Sequence, residues 1–230
     1  MKQETFKDLR RAIRNMTPPH RERLPHPKLF DLIEQGKAGA SILYPAWNLL
    51  YYSCMCTLER EDENIIVETG TNLGSSTIVL AQTLVETGFK GHVFTFELQP
   101  ERAAVARERF KEFGVDKLIT STVGSSVDMM PGVLGKRPVR FVFLDSNHGQ
   151  EHVLGEVKIV HPLVVAAKGK IYFDNTLVRG VDQALRTLRH RYGNSGFVEF
   201  RNCSSNPPGN VIWEPVPRTE LTPPTHPKKK

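Results

Sequence analysis

The chain lacks the features that mark secreted, membrane-spanning and zinc-clustered proteins. Only three of its 230 residues are cysteine, and they are not spaced as metal ligands. No apolar run approaches the roughly 20 residues needed to cross a bilayer. Residues 1–14 are charged throughout and have no apolar signal-peptide core. These absences predict a cytoplasmic protein with no membrane partner, in which Cys54 and Cys56 are two buried thiols.

The chain also lacks a strong basic excess in its middle, although the formal net charge is +6. Much of the excess lies at the two ends, including the final run of residues 228–230. Charged ends are usually solvated. A nucleic-acid surface would show a basic face with interleaved aromatic residues, so we expect no nucleic-acid partner.

From residue 65 onward, short apolar runs alternate with amphipathic segments, a pattern typical of strands and helices in an α/β protein. The expected strands are residues 65–68, 93–97, 118–123, 139–145 and 170–174, and the expected helices are 77–86, 101–113, 151–160 and 181–192. Residues 197–201 and 211–213 resemble an antiparallel pair. The sequence therefore predicts a doubly wound, mostly parallel seven-stranded sheet with an antiparallel closing strand.

The regions outside this pattern predict three parts: an N-terminal helical cap segment (1–60), the α/β domain (61–214) and a disordered basic tail (215–230). Helical spacing is present at 1–15, 29–35 and 41–58. The last of these helices carries four aromatic residues, Tyr44, Trp47, Tyr51 and Tyr52. They suit either a helix packed over a cofactor cleft or ordinary core residues.

The loop after the first strand lacks two residues that would identify a diphosphate site. A third glycine does not follow Gly70 and Gly74, which excludes the dinucleotide fingerprint, and no lysine follows Gly74, which excludes a P-loop. Glu68 at the strand end would repel phosphate but suits a cation. Ser75 or Ser76 can cap the next helix.

A second acid, Glu97, ends the second strand, where a carboxylate can accept both hydroxyls of a ribose. An acid for a cationic amino group, a glycine-lined loop and a ribose acid together describe a site for S-adenosylmethionine. In these residues the sequence resembles the class I S-adenosylmethionine-dependent methyltransferases and their Rossmann-like fold. The predicted cofactor-binding residues are Glu68, Gly70, Asn72, Gly74, Ser75, Glu97, Gly124, Ser125 and Asp145.

Two further strand ends carry oxygen ligands: Asp145 after the fourth strand, and Asp174 and Asn175 after the fifth. Strand ends on one edge of a doubly wound sheet lie close together. Two carboxylates and an amide oxygen suit Mg²⁺. Acids at strand ends also occur by chance, as helix caps, and this alternative stays open.

The segments around these residues resemble the cephalosporin-hydroxylase/rhamnosyl O-methyltransferase family and are similar to the catechol O-methyltransferase type. The resemblance covers roughly residues 65–213 and implies a metal held by Asp145, Asp174 and Asn175. Asn175 departs from the first family, which often has a second Asp there. The catechol type implies adenine contact by the loop 124–126. It also implies a general base at His148, where that type has a lysine.

These features predict a Mg²⁺-dependent O-methyltransferase that acts on a hydroxyl of a sugar or phenolic small molecule, with His148 and Asp145 as catalytic residues. Two alternatives remain open. One is a nicotinamide-dependent oxidoreductase, which the missing third glycine disfavours. The other is a non-catalytic protein that retains the fold. A homo-oligomer is compatible with the sequence.

Overall fold

The computed structural model describes residues 46–200 and 209–216. Over these residues there are six α-helices and seven strands, which we number in chain order. The helices are α1 Ala46–Met55, α2 Ser75–Thr87, α3 Pro100–Glu112, α4 Ser126–Leu134, α5 Gln150–Ala167 and α6 Arg179–Tyr192. The strands are β1 Asn64–Thr69, β2 Gly91–Glu97, β3 Ile119–Val123, β4 Phe141–Leu144, β5 Lys170–Phe173, β6 Phe197–Phe200 and β7 Asn210–Trp213.

All seven strands belong to one sheet in the order β3-β2-β1-β4-β5-β7-β6. The first five strands in this order pair in parallel, whereas β7 runs antiparallel to both β5 and β6. The predicted doubly wound sheet with an antiparallel closing strand is therefore confirmed. Parallel strands need crossover helices, and these helices cover both faces.

Each face of the sheet packs against three helices. On β1, Ile66 points to a core formed with α1, α2 and α3, whereas Ile65 and Val67 belong to a second core with α4, α5 and α6. Successive side chains of a strand point to opposite faces, so a strand buried on both sides becomes a continuous apolar run. This burial fixes the sheet, and with it the positions of the loops at the strand ends.

Helix α4 was not predicted, and α5 is longer than expected. Pro131 lies inside α4 and Pro162 inside α5, and an interior proline removes one helix hydrogen bond. Buried side chains lie in the same helices, such as Met130 in α4 and Val164 in α5. The packing of these helices on the sheet therefore outweighs the tendency of the two prolines to end a helix.

The prediction that Ser75 or Ser76 caps α2 is wrong. The residue at the N-cap is Gly74, with φ of 87°, and within the described chain no side chain caps this helix. A Cβ atom at Gly74 would lie 2.6 Å from the ring of Phe110 on α3. Close packing of α3 against the loop therefore requires glycine at this position.

Helix α1 packs its aromatic residues into the core. Trp47 and Tyr51 are buried there, and Tyr52 packs against them, as the core interpretation predicted. Cys54 is buried, but Cys56 is only half-buried, so the expectation of two buried thiols is right for the first alone. Among the described helices, none has the length and apolar character required to cross a membrane.

Several predictions lie outside the described residues. They concern the helices at 1–15 and 29–35, Tyr44, Cys203 and the tail after residue 216. The proposed division into a cap segment, a domain and a tail therefore stays a prediction.

Candidate active site

The carboxyl ends of the parallel strands meet at one edge of the sheet, where the strand order reverses between β1 and β4. Open α/β sheets bind ligands at such a position. A cavity of about 610 Å³ lies there, within the usual range for small-molecule sites. It is lined by eight of the predicted site residues: Gly70, Asn72, Glu97, Gly124, Ser125, Asp145, His148 and Asn175.

The loop after β1 turns through three residues in the left-handed region, Gly70 (φ 88°), Asn72 (φ 48°) and Gly74 (φ 87°). A Cβ atom at Gly70 would lie only 2.1 Å from the carbonyl oxygen of Asp145. Gly70 therefore lets the loops after β1 and β4 approach each other, and backbone forms this wall of the cavity. Arg109 on α3 braces the same loop by donating to the carbonyl of Leu73.

Glu97 is buried and its carboxylate is fixed on both oxygens. The N–H of Asn72 donates to Oε2 at 2.7 Å, and the N–H of Gln99 donates to Oε1 at 2.9 Å. Each carboxylate oxygen has two lone pairs, so each can accept one more hydrogen bond. This arrangement suits two adjacent hydroxyls of a ribose.

The structure does not support direct cofactor contact by Glu68. Its side chain has no exposed surface, and it is not among the described residues that line the cavity. Instead, Oε2 accepts hydrogen bonds from Thr77 on α2 and, at 2.6 Å, from Thr95 on β2. Burial raises the pKa of Glu68 to about 7, although these hydroxyls and Ser76 partly lower it. Glu68 is a buried support beneath the glycine loop because its carboxylate points into the helix–sheet interface.

Gly74 and Ser75 also lie outside the cavity lining. Gly74 abuts Phe110, as described above, and Ser75 is a buried residue at the start of α2. Their role is to hold the loop and helix together. By contrast, Gly124 and Ser125 line the cavity, and the N–H of Gly124 donates to the carbonyl of Glu97 at 2.8 Å.

The second acidic cluster forms around His148. The imidazole Nε2 lies 3.4 Å from Oδ1 of Asp145. This hydrogen bond is the main cause of the raised pKa of His148, and the charge of Asp174 and a hydrogen bond with Asn175 add to it. Burial raises the pKa of both Asp145 and Asp174, and the charge of Asp145 raises that of Asp174 further. Four predicted site residues therefore interact at one point.

Asp174 does not line the main cavity but borders a small adjoining one with His148 and Ser146. Its Oδ1 accepts a hydrogen bond from the side chain of Asn210, at the start of β7. Asn210 is buried and was not predicted, because its place beside Asp174 depends on the pairing of β7 with β5. It orients one oxygen of Asp174.

The oxygen atoms of this cluster suit a divalent cation. The charge of Asp145 raises the pKa of the buried Asp174, so a cation between the two carboxylates would stabilise both. Over residues 46–200 and 209–216, no three His, Cys, Asp or Glu side chains group as metal ligands. The third ligand must then be the amide oxygen of Asn175, whose φ of 52° places it in the left-handed region. With that oxygen included, the hard-oxygen set fits Mg²⁺.

Ser126, in the loop 124–126 expected near the adenine, also lines the cavity. The predicted site set did not include six further lining residues: Phe96, Leu98, Arg102, Ser146, Asn147 and His152. Most lie within two residues of a predicted one, so proximity in sequence could have indicated them. Leu98 is also unusual as a large apolar side chain that lines the cavity and is 70% exposed.

Comparisons with known proteins agree with this geometry. The family described as "Methyltransferase domain" matches residues 67–176, which run from β1 to just beyond β5. The catalytic subunit of tRNA (adenine(58)-N(1))-methyltransferase of Dictyostelium discoideum is 40% identical over 76 residues, covering 33% of this chain and 23% of that protein. Catechol O-methyltransferase B of Danio rerio is 29% identical over 129 residues, covering 54% of this chain and 47% of that protein.

The chain thus spans less than half the length of either relative. Among solved structures, the O-methyltransferase TomG of Streptomyces achromogenes, in complex with SAM, has a TM-score of 0.58 at 20% identity. The match covers 94% of this chain and 100% of TomG, and it shows the shared fold. The sheet order, the strand-end cavity and these matches confirm the resemblance to the class I S-adenosylmethionine-dependent methyltransferases and to their fold.

Proposed function

We propose that this protein is an S-adenosylmethionine-dependent O-methyltransferase that uses Mg²⁺ and acts on a hydroxyl of a sugar or phenolic small molecule. The observation that carries the proposal is the meeting of two groups in one cavity. Glu97, after β2, and the cluster of Asp145, His148 and Asn175, after β4 and β5, line the same cavity. A methyl donor and an oxygen acceptor can therefore bind side by side.

The cofactor assignment rests on the backbone-lined loop and on Glu97. With both carboxylate oxygens already oriented by backbone N–H groups, Glu97 accepts the two ribose hydroxyls. Gly124 and Ser125, on the loop after β3, are proposed to contact the adenine. The bound cofactor supplies an electrophilic methyl group. The chain's contribution is to hold the acceptor oxygen in line with that methyl, which accounts for much of the acceleration in reactions of this kind.

Mg²⁺ would be held by Asp145, Asp174 and Asn175. When bound, it supplies a Lewis acid that makes the acceptor hydroxyl easier to deprotonate. The relative named as a catechol O-methyltransferase supports the phenolic acceptor class. Asn210 keeps Asp174 in position by its hydrogen bond to Oδ1.

His148 is proposed to be the general base that removes the hydroxyl proton. It lines the cavity, its side chain is about one-third exposed, and it contacts Asp145. Asp145 orients the ring and stabilises the imidazolium that forms. The alternative role, a further ligand or support of the metal site, predicts a loss of metal affinity on substitution, whereas the base predicts a loss of turnover alone.

One experiment tests the main proposal. The purified protein is incubated with methyl-labelled S-adenosylmethionine, Mg²⁺ and a host metabolite extract, and labelled products are identified by mass spectrometry. A labelled ether on a sugar or phenol is the expected product. A parallel labelling reaction contains total tRNA, because one relative is a tRNA methyltransferase. A separate thermal-shift experiment compares the stabilisation of the protein by NADH and by S-adenosylmethionine. Label in tRNA, or stabilisation by NADH but not by S-adenosylmethionine, would overturn the proposal.

A further inference from the structure

A buried carboxylate that the proposed reaction does not use lies behind the cavity wall. Glu156, in the middle of α5, is only 1% exposed. Its Oε1 accepts hydrogen bonds from Ser126 at 2.5 Å and from Ser146 at 2.6 Å. His152, one turn earlier on α5, places its Nε2 3.2 Å from the same oxygen.

The three residues that contact Glu156 come from three segments, and all three line the cavity. Ser126 begins α4, directly after the Gly124–Ser125 turn. Ser146 follows Asp145 after β4. A single carboxylate oxygen therefore links the loop proposed for adenine, the loop of the acidic cluster and the start of α5.

Counting hydrogens fixes the direction of these bonds. A carboxylate only accepts, so each serine uses its single hydroxyl hydrogen on Glu156. The contact between Ser126 Oγ and His152 Nε2, at 3.1 Å, must then use a hydrogen carried by Nε2. The arrangement is not a nucleophilic triad, because one histidine nitrogen faces both the serine and the acid, and no nitrogen is placed to take the serine proton.

We propose that Glu156 is a positioning residue for S-adenosylmethionine, and that it fixes Ser126, Ser146 and His152 as one wall of the cofactor cavity. This inference rests on the proposed methyl donor, and its test requires neither the metal nor the acceptor. It follows from the burial of the carboxylate and from the exposure of its three partners to the cavity. Hydrogen bonds to a charged group are about twice as strong as neutral ones, so the charge of Glu156 matters as well as its shape.

The test measures S-adenosylhomocysteine affinity by calorimetry in the metal-free protein. Glu156→Gln keeps the volume but removes the charge, and we expect the dissociation constant to rise about tenfold, as for the loss of one charge-assisted hydrogen bond. Glu151→Gln, an exposed acid on the same helix, is the matched control and should leave the affinity unchanged. Unchanged affinity in folded Glu156→Gln would overturn the inference.

A double-mutant cycle separates positioning from general stability. Ser146→Ala should weaken binding more in the wild type than in the Glu156→Gln background, because the amide oxygen of glutamine accepts only a neutral, weaker hydrogen bond from Ser146. Additive effects would count against the proposal. The pKa of His152, which its hydrogen bond to Glu156 raises with a smaller contribution from Asp128 on α4, should fall in Glu156→Gln when followed by NMR. A lack of change there would also oppose it.

Two further outcomes also decide whether the inference holds. If Glu156→Gln does not fold, Ser126→Ala and Ser146→Ala decide the question, and wild-type affinity in both would overturn the inference. If the wild-type protein itself does not bind S-adenosylhomocysteine, the proposed methyl donor is wrong, and this inference is overturned with it.

Discussion

Glu68 should make stability depend on pH, because its carboxyl group is buried among hydroxyls and no cation lies beside it in the described part of the chain. Burial raises its pKa from 4.5 to about 7. The folded state therefore holds a proton that the unfolded state has lost between these two pH values. Stability should fall as pH rises from 4.5 to 7, because the folded state binds more protons there.

The size of this effect follows from the two pKa values. Each tenfold difference in proton affinity corresponds to about 1.4 kcal/mol. The folded protein should thus lose about 3 kcal/mol of unfolding free energy across this window through Glu68 alone. Oε1, which makes no hydrogen bond with any described residue, contributes to the cost of the charge.

The assay is urea unfolding of the wild type and of Glu68→Gln at several pH values from 4.5 to 7.5. Subtracting the two curves cancels other titrating groups, and the difference should show the predicted slope. Glu112→Gln, an exposed acid on α3, should retain the wild-type slope. Thr77→Val, which removes one donor to Glu68, should raise the pKa of Glu68 further and extend the fall in stability to higher pH. Identical pH dependence in the wild type and Glu68→Gln would refute the assignment of a raised pKa to this residue.

Four further predictions concern the cavity. Glu97→Ala should weaken S-adenosylmethionine binding by about 2–3 kcal/mol in calorimetry, the cost of charge-assisted hydrogen bonds; unchanged affinity would remove Glu97 from the ribose site. Gly70→Ala should destabilise the protein by about 1–3 kcal/mol in urea unfolding, since its φ of 88° and the 2.1 Å approach to Asp145 leave no room for a Cβ; wild-type stability would contradict this. Asp174→Ala should abolish Mg²⁺-dependent activity while S-adenosylhomocysteine affinity is retained, and full wild-type activity in excess EDTA would exclude the metal. His148→Gln should lower turnover by ~10²–10⁴-fold with unchanged affinity for the cofactor product; a loss of Mg²⁺ affinity instead would make His148 a ligand or a support.

The sheet and most of the cavity could be predicted because parallel α/β proteins encode them locally. Each buried strand is a short apolar run, and each run ends at the same edge, so residues such as Glu97 and Asp145 come together whatever the details of the helices. The closing antiparallel pair was predicted because its strands are also short apolar runs. Residues at strand ends can be located in the sequence because each directly follows such a run.

The missed features depend on contacts that no local pattern records. Helix α4 contains Pro131 and forms because Met130 and Leu134 are buried against the sheet. Glu68 was expected in the cavity because it ends a strand, but the alternation of side chains along β1 turns it toward α2. Asn210 and Glu156 contact residues 36 and 10 positions away, respectively. Their roles become visible only when the pairing of β7 and the path of α5 are known.

The order of the strands in the sheet determines which loops border the proposed donor site and which border the proposed acceptor site. Because β1 lies between β2 and β4, the glycine loop borders both the ribose acid on β2 and the acidic cluster after β4 and β5. The close approach of Gly70 to Asp145 joins the two halves through backbone alone. The proposed acceptor site therefore borders the loops after β4 and β5, whereas the proposed donor site borders the loops after β1, β2 and β3. For this reason, the acceptor must be sought in the loops after β4 and β5, and the donor can be tested first and separately.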